Sequence, residues 1–166
     1  GKLNLPKQTV ATVIPAQTES VVMGDIFSMD GIPVIATSQD GSLSGLSSIA
    51  KAKGLEVSTT YTAKPGLVSL PVKASKDTAP TLQSFITQIG NLNNTMQKSP
   101  EKKFLVSLLG LGPIDAQTIP GATYDAMLSG LKALLDTNPN ATLVLPNTTN
   151  PALTGFIQTM ETYFKC

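Results

Sequence analysis

Residues 104–145 read FLVSLLGLGPIDAQTIPGATYDAMLSGLKALLDTNPNATLVL, and the alternation within them indicates the fold class. Residues 104–109 form a strongly apolar run that predicts a buried strand, and residues 142–145 predict another. Between these runs, five apolar side chains repeat at helical spacing: Met127, Leu128, Leu131, Leu134 and Leu135. A strand, a helix and a second strand in this order predict parallel strands with the helix packed on the sheet.

Two further helices are predicted on either side of this unit. Residues 152–164 carry an apolar stripe, and a longer helix is predicted to begin at Thr81. The stripe of the longer helix comprises Leu82, Phe85, Ile86, Ile89 and Leu92. Apolar side chains at this spacing lie on one face of a helix, so the first four are predicted to be core residues.

The first half of the chain is predicted to contribute strands. Five segments are rich in β-branched or apolar residues and are bounded by turn residues. They are residues 9–14, 21–27, 32–37, 55–62 and 67–72. A short helix is predicted to follow Ser44 and to end at Gly54. The whole chain, residues 1–166, is therefore predicted to be a single three-layer α/β domain with a mixed sheet and helices on both faces.

The amino-acid composition excludes several kinds of site. The 166 residues include 12 basic residues, all of them Lys, 11 acidic residues and no His, for a net charge of +1. Without His, a Ser-His-Asp triad and a His-ligated zinc site cannot form. Without Arg, no guanidinium can bind a phosphate through two parallel hydrogen bonds. The small net charge gives little attraction to nucleic acid or anionic membranes. We therefore expect no nucleic-acid partner, no membrane insertion, no catalytic residue, no metal site and no cofactor.

The same composition favours contacts between copies of the chain. Charged residues make up 14% of the sequence, so little like-charge repulsion keeps copies apart. We therefore expect a homo-oligomer. The low charge and three glycosylation sequons, which begin at Asn93, Asn140 and Asn147, would also suit an extracellular or surface structural subunit that self-assembles.

Few residues suggest a chemical role. Gly110 and Gly112 follow a predicted strand, as a phosphate-binding loop would, but a dinucleotide fingerprint needs a third glycine where Asp115 stands. The favoured interpretation is a plain turn at the exit of the strand, with Asp115 as a turn or capping residue. Asp25 and Asp30 are the closest pair of carboxylates in the first half, and both are predicted to be solvated or to cap turns.

Four short motifs, taken in order, resemble the N-terminal domain of the two-zinc cytosolic leucine aminopeptidases. Residues 38–44 are similar to the E-D-G-x-L-S segment of that family, and residues 104–112 to its V-x-L-V-G-L-G strand. Residues 142–146 are similar to its V-x-L-x-L-P strand, and residues 155–165 to the helix that leads out of the domain. The resemblance implies a cytoplasmic, macrodomain-like accessory and assembly domain. In that family the zinc ligands and catalytic residues lie in a separate domain, so none of them is assigned to this chain.

Residues 22–26 give a second resemblance. They read VMGDI and are similar to the x-x-G-D-I strand of macrodomains, whose Asp contacts adenine. This resemblance implies a degenerate relative of ADP-ribose-binding macrodomains, with Asp25 as the ligand-binding residue. The macrodomain Asn-Ala-Ala-Asn segment is replaced at residues 35–38, and the triple-glycine loop at residues 41–45. The second phosphate loop would fall at residues 147–151, which contain no glycine.

Overall fold

A computed structural model describes residues 19–166 and has a six-stranded sheet at its centre. The strands are β1 (Val21–Met23), β2 (Ile32–Ser38), β3 (Thr62–Lys64), β4 (Leu67–Lys73), β5 (Phe104–Val106) and β6 (Ala141–Leu145). The helices are α1 (Leu46–Ala52), α2 (Leu82–Lys98), α3 (Pro113–Thr118), α4 (Gly121–Thr137) and α5 (Pro151–Lys165). The strand predicted at residues 9–14 lies outside the described residues.

The sheet is mixed, as predicted. Its strand order is β1-β6-β5-β2-β4-β3. Five neighbouring strands run parallel, and β3 alone among the described strands pairs antiparallel, to β4 across the turn at Pro65 and Gly66. Parallel neighbours require long crossover connections, and the helices in those connections cover the sheet.

Both faces of the sheet are covered, which gives the predicted three-layer α/β architecture. Phe104 and Val106 of β5 face a large core that includes buried residues of α2, α4 and α5. Leu105 points to the opposite face, where Ile26 and Val144 are buried beside it and Leu46 of α1 packs on them. This alternation follows from the two-residue period of a strand. No helix among the described residues is long and apolar enough to cross a bilayer.

Helix α2 begins as predicted but buries a different stripe. The Thr81 hydroxyl accepts a hydrogen bond from the Ser84 N–H at 3.1 Å, and Ser84 bonds back to Thr81, so a capping box fixes the first turn. Phe85, Ile89 and Leu92 are buried. The prediction that Leu82 and Ile86 are core residues was wrong, because they lie beside this stripe and remain 40% and 48% exposed.

Three predicted strands are shorter than expected, and one helix was missed. The predicted strand at residues 55–62 is irregular up to Tyr61, and there the Ser58 N–H donates to the Ser69 side chain instead of a strand carbonyl. The strands predicted at 21–27 and 104–109 end at Met23 and Val106, where the chain turns away. Helix α3 was not predicted, although Pro113 suits a first helical turn.

Asn140 is a structural residue despite its place in a sequon. Its amide nitrogen donates to the carbonyls of Met96, Ser99 and Lys102 at 3.3, 3.2 and 3.1 Å. These bonds tie the end of α2 and the following loop to the start of β6. Because the side chain is buried and its N–H groups are used in this way, Asn140 does not present an acceptor nitrogen for a glycan in the folded protein.

We predict that Leu143→Ala lowers the free energy of unfolding by about 2–5 kcal/mol, since it leaves a cavity in a closely packed core. Leu143 lies in β6 between β1 and β5 and has no exposed surface. Urea denaturation would measure the loss. Ile114→Ala is the control, because its side chain is 76% exposed, and it should change stability by less than about 0.5 kcal/mol. A loss at Leu143 under about 1 kcal/mol would contradict its central position.

Candidate functional site

A cleft of about 630 Å³ opens where the parallel strands end. Its walls come from residues that follow β1, β5 and β6, from the end of β2 and from Lys73 at the end of β4. Ligands of open α/β sheets bind outside the carboxyl ends of the strands, because the loops diverge there. The volume is within the usual range of small-molecule sites. This cleft is therefore the candidate functional site.

Asp25 lies at the cleft in the turn that follows β1. The Gly24 N–H continues the ladder to the Leu145 carbonyl at 2.9 Å, so the turn starts from a fixed strand end. The Asp25 carboxylate accepts from the Ser28 hydroxyl at 2.7 Å and from the Phe27 N–H at 3.1 Å. These bonds, the Ser28 bond first, lower the pKa of Asp25, so its side chain is an ionised hydrogen-bond acceptor at neutral pH.

An apolar wall shares the cleft with Asp25. It comprises Ile26, Val144, Leu153, Phe156 and Ile157. The last three lie at i, i+3 and i+4, so they share one face of α5. The start of α5 is fixed by Asn150, whose side-chain oxygen accepts from the Ala152 N–H at 3.0 Å. An aromatic ring and branched side chains beside a carboxylate suit a flat ligand with a polar edge.

The loop after β5 forms a tight turn at Leu109 and Gly110. Their φ angles are 57° and 84°, both in the left-handed region. The Leu111 N–H donates to the Leu108 carbonyl at 3.2 Å and closes the turn. Two successive left-handed residues are typical of a type I′ turn, and leucine is rarely found in one. Leu109 is held there by burial, since it is 1% exposed.

This turn has the properties of an anion-binding loop. Leu109 and Gly110 line the cleft, and their N–H groups donate to no acceptor in the described part of the chain. Successive N–H groups in a turn create a concavity that binds anions. Glycine is required at 110, because a Cβ there would lie 2.8 Å from Pro80 Cγ. The plain turn favoured by the sequence analysis is therefore a wall of the candidate site.

Two opposite charges lie in the cleft with this turn. Lys73 and Asp115 both line it, and Asp115 is in the first turn of α3 and not in a loop as predicted. Burial raises the pKa of Asp115, and the positive charge of Lys73 opposes the rise. The Asp115 carboxylate is therefore a partly desolvated group whose ionised form is disfavoured.

Other candidate residues lie outside the cleft or at its rim. Asp30 is exposed and does not line the cleft, so the structure does not combine it with Asp25 into one site. Of residues 147–151, where the second phosphate loop was expected, Asn147 lines the cleft. Within residues 19–166, no three His, Cys, Asp or Glu side chains are placed to hold a metal ion.

Comparisons with known proteins identify similar folds but no family. No protein-family model matches the sequence, and no curated protein does either. The macrodomain of Thermus aquaticus DarG matches 80% of this chain and 100% of its own, with a TM-score of 0.54 and 10% identity. Thermosipho africanus DarTG in complex with ADP-ribose matches 82% of this chain and 44% of its own, with a TM-score of 0.48 and 15% identity. The Thermus likeness shows a macrodomain-like fold.

These comparisons correct the assignment to leucine aminopeptidases. The Thermus aquaticus protein, which shares this fold, is a macrodomain and not an aminopeptidase N-terminal domain, so the interpretation as an aminopeptidase accessory domain was wrong. The four motifs that suggested it are two short strands, a turn and most of helix α5. Residues 104–106 and 142–145 are apolar because both faces of their strands are buried, a requirement of any sheet covered on two sides. Motifs of this kind indicate a sheet covered on both faces, but they do not indicate which family a protein belongs to.

We predict that Gly110→Ala destabilises the protein by about 1–3 kcal/mol, because it adds a Cβ at positive φ against Pro80. Gly90→Ala is the matched control. Gly90 lies inside α2, and a Cβ there meets nothing within 4 Å, so alanine should stabilise the helix by up to about 1 kcal/mol. Chemical denaturation of both variants would measure the contrast. Equal effects would show that the turn does not need glycine.

We also predict that Asp115→Asn raises Tm at neutral pH. The pKa of Asp115 is raised in the folded state, so folding with the ionised carboxylate is unfavourable above both its folded and unfolded pKa values. Asparagine removes this penalty. The gain should disappear as pH falls below about 4, where the unfolded aspartate is also protonated. Thermal unfolding across this range would measure it, and a gain that grows toward low pH would contradict the prediction.

Proposed function

We propose that this chain binds ADP-ribose in the cleft at the carboxyl edge of the sheet. The observation that carries the proposal is the combination, in one cleft of a macrodomain-like fold, of the Asp25 carboxylate and the turn at Leu109 and Gly110. A carboxylate can accept a hydrogen bond from the amino group of adenine. Backbone N–H groups that have no partner can donate hydrogen bonds to a diphosphate. The proposal takes the place of an aminopeptidase accessory role.

Asp25 is suited to select adenine. An ionised carboxylate only accepts hydrogen bonds, and the 6-amino group of adenine donates them. Ser28 and Phe27 use part of the carboxylate's accepting capacity, and no other described residue donates a hydrogen bond to it. Phe156 and the apolar side chains beside it would pack on the faces of the base.

The turn at Leu109 and Gly110 is suited to the diphosphate. Two N–H groups without partners supply donors, and the missing side chain at 110 allows the turn to pack on Pro80. Because the sequence has no Arg, a bidentate guanidinium contact is excluded, and Lys73 is the cation in the wall. Binding would therefore depend more on neutral backbone donors than on ion pairs.

Asp115 would oppose a bound diphosphate while it is ionised. Burial has already raised the pKa of Asp115, and a nearby anion would raise it further. Proton uptake by this carboxyl would relieve the repulsion. The same group that weakens the fold at neutral pH would therefore make the cleft more receptive to an anion as the pH falls.

Isothermal titration calorimetry with ADP-ribose tests the proposal. Wild-type protein should bind, and Asp25→Asn should weaken binding by about 10- to 100-fold, since it removes a charged acceptor. The second ligand is inosine diphosphate ribose. It differs from ADP-ribose in carrying a carbonyl in place of the 6-amino group of the base. Wild-type protein should prefer ADP-ribose, and Asp25→Asn should lose that preference because an amide can donate as well as accept.

Asp40→Asn is the matched control for Asp25→Asn. The Asp40 carboxylate also accepts from a serine hydroxyl and a nearby N–H, at 2.6 and 2.9 Å, and its pKa is also lowered. It does not line the cleft, so its substitution should leave ADP-ribose affinity unchanged. Absence of binding by folded wild-type protein at millimolar ADP-ribose would refute the proposal.

A further inference from the structure

A second, smaller cavity adjoins the cleft at Ser38. Its volume is about 50 Å³, and Ser38 contributes to the walls of both cavities. Thr37 of β2 and Lys51 of α1 line it, together with Ser58 and Thr59. A nucleotide base or a ribose does not fit a space of this size, so the cavity is not an extension of the proposed ADP-ribose site.

Thr37 is the clearest sign that this cavity has an occupant. The residue is 2% exposed, and its hydroxyl oxygen is the buried side-chain polar atom without a hydrogen-bond partner among the described residues. Buried polar atoms in native proteins are almost always paired with protein or with a bound species. A partner other than the residues described in the structure is therefore expected at the Thr37 hydroxyl.

The electrostatics of the cavity favour an anion. Lys51 is in the last turn of α1 and takes part in none of the ion pairs of the described residues. No Asp or Glu lines the cavity. Asp40 is close in sequence, but it does not line the cavity, and its carboxylate accepts from the N–H and hydroxyl of Ser42, which does line it. The Lys51 ammonium group and the Thr37 hydroxyl therefore remain as donors in the wall of the cavity.

The volume sets the size of the ligand. One bound water needs about 10–15 Å³ of such space, so 50 Å³ corresponds to about four water-sized positions. A tetrahedral oxyanion presents four oxygens. We propose that this cavity binds a small free oxyanion, phosphate or sulfate, with the Thr37 hydroxyl and the Lys51 ammonium as donors. The proposal does not depend on the ADP-ribose site.

Thermal unfolding in phosphate and in chloride, at equal ionic strength, tests the site. Phosphate should raise the Tm of the wild-type protein with the logarithm of its concentration, as expected for a ligand of the folded state. Thr37→Val and Lys51→Gln should each weaken the apparent phosphate affinity by about tenfold or more. Thr37→Val keeps the shape of the side chain and removes the unpaired hydroxyl, so in chloride its Tm should be no lower than that of the wild type.

Lys98→Gln is the matched control, because Lys98 is in the last turn of α2, as Lys51 is in the last turn of α1. Its response to phosphate should equal that of the wild type. Phenyl phosphate is too large for the cavity and should bind at least about tenfold more weakly than phosphate. If the Tm of the wild-type protein did not change with phosphate concentration, the cavity would hold water and not an oxyanion, and the proposal would be wrong. The proposal would also be overturned if Thr37→Val and Lys51→Gln responded to phosphate as strongly as the wild type does. It would be overturned as well if phenyl phosphate bound as tightly as phosphate.

Discussion

Burial of β5 and β6 on both faces is the constraint on which the rest of the structure depends. Leu105, Val106 and Leu143 have no exposed surface, so helices or loops must cover each side of the sheet. Parallel pairing of these strands with each other and with β1 and β2 places their carboxyl ends at one edge. Every chain segment that leaves that edge becomes a wall of the cleft. The site is thus a consequence of the same burial that forms the core.

The sequence predicts elements well where periodicity and burial agree. Residues 142–145 and α4 have apolar patterns that match their surroundings, and both lie where predicted. Leu82 and Ile86 were wrongly predicted to be core residues. The apolar stripe of α2 is wider than the part of the helix that packs against the rest of the protein. Residues 55–61 were wrongly predicted to be part of a strand. Their β-branched side chains favour an extended backbone, but a strand also needs a neighbouring strand to pair with.

The candidate site was only partly visible in the sequence. Asp25 could be recognised from the Gly-Asp-Ile segment, whereas the role of Leu109 and Gly110 could not. A leucine at positive φ has no sequence signature, since its conformation is imposed by burial and by the short strand before it. The presence of Lys73 and Asp115 in one cleft depends on tertiary structure, because the two residues come from different elements. The aminopeptidase resemblance failed for the related reason that short apolar strands recur wherever a sheet is covered on both sides.

The turn at Leu109 and Gly110 has a consequence for the entropy of binding. The buried leucine side chain, the contact of Gly110 with Pro80 and the closing bond between Leu111 and Leu108 hold this turn in one conformation. A loop that is already ordered loses little conformational freedom when a ligand arrives, and that loss is a large part of the cost of association elsewhere. Leu109 therefore adopts its positive φ during folding, so an anion bound as proposed would find the N–H donors of this turn already arranged.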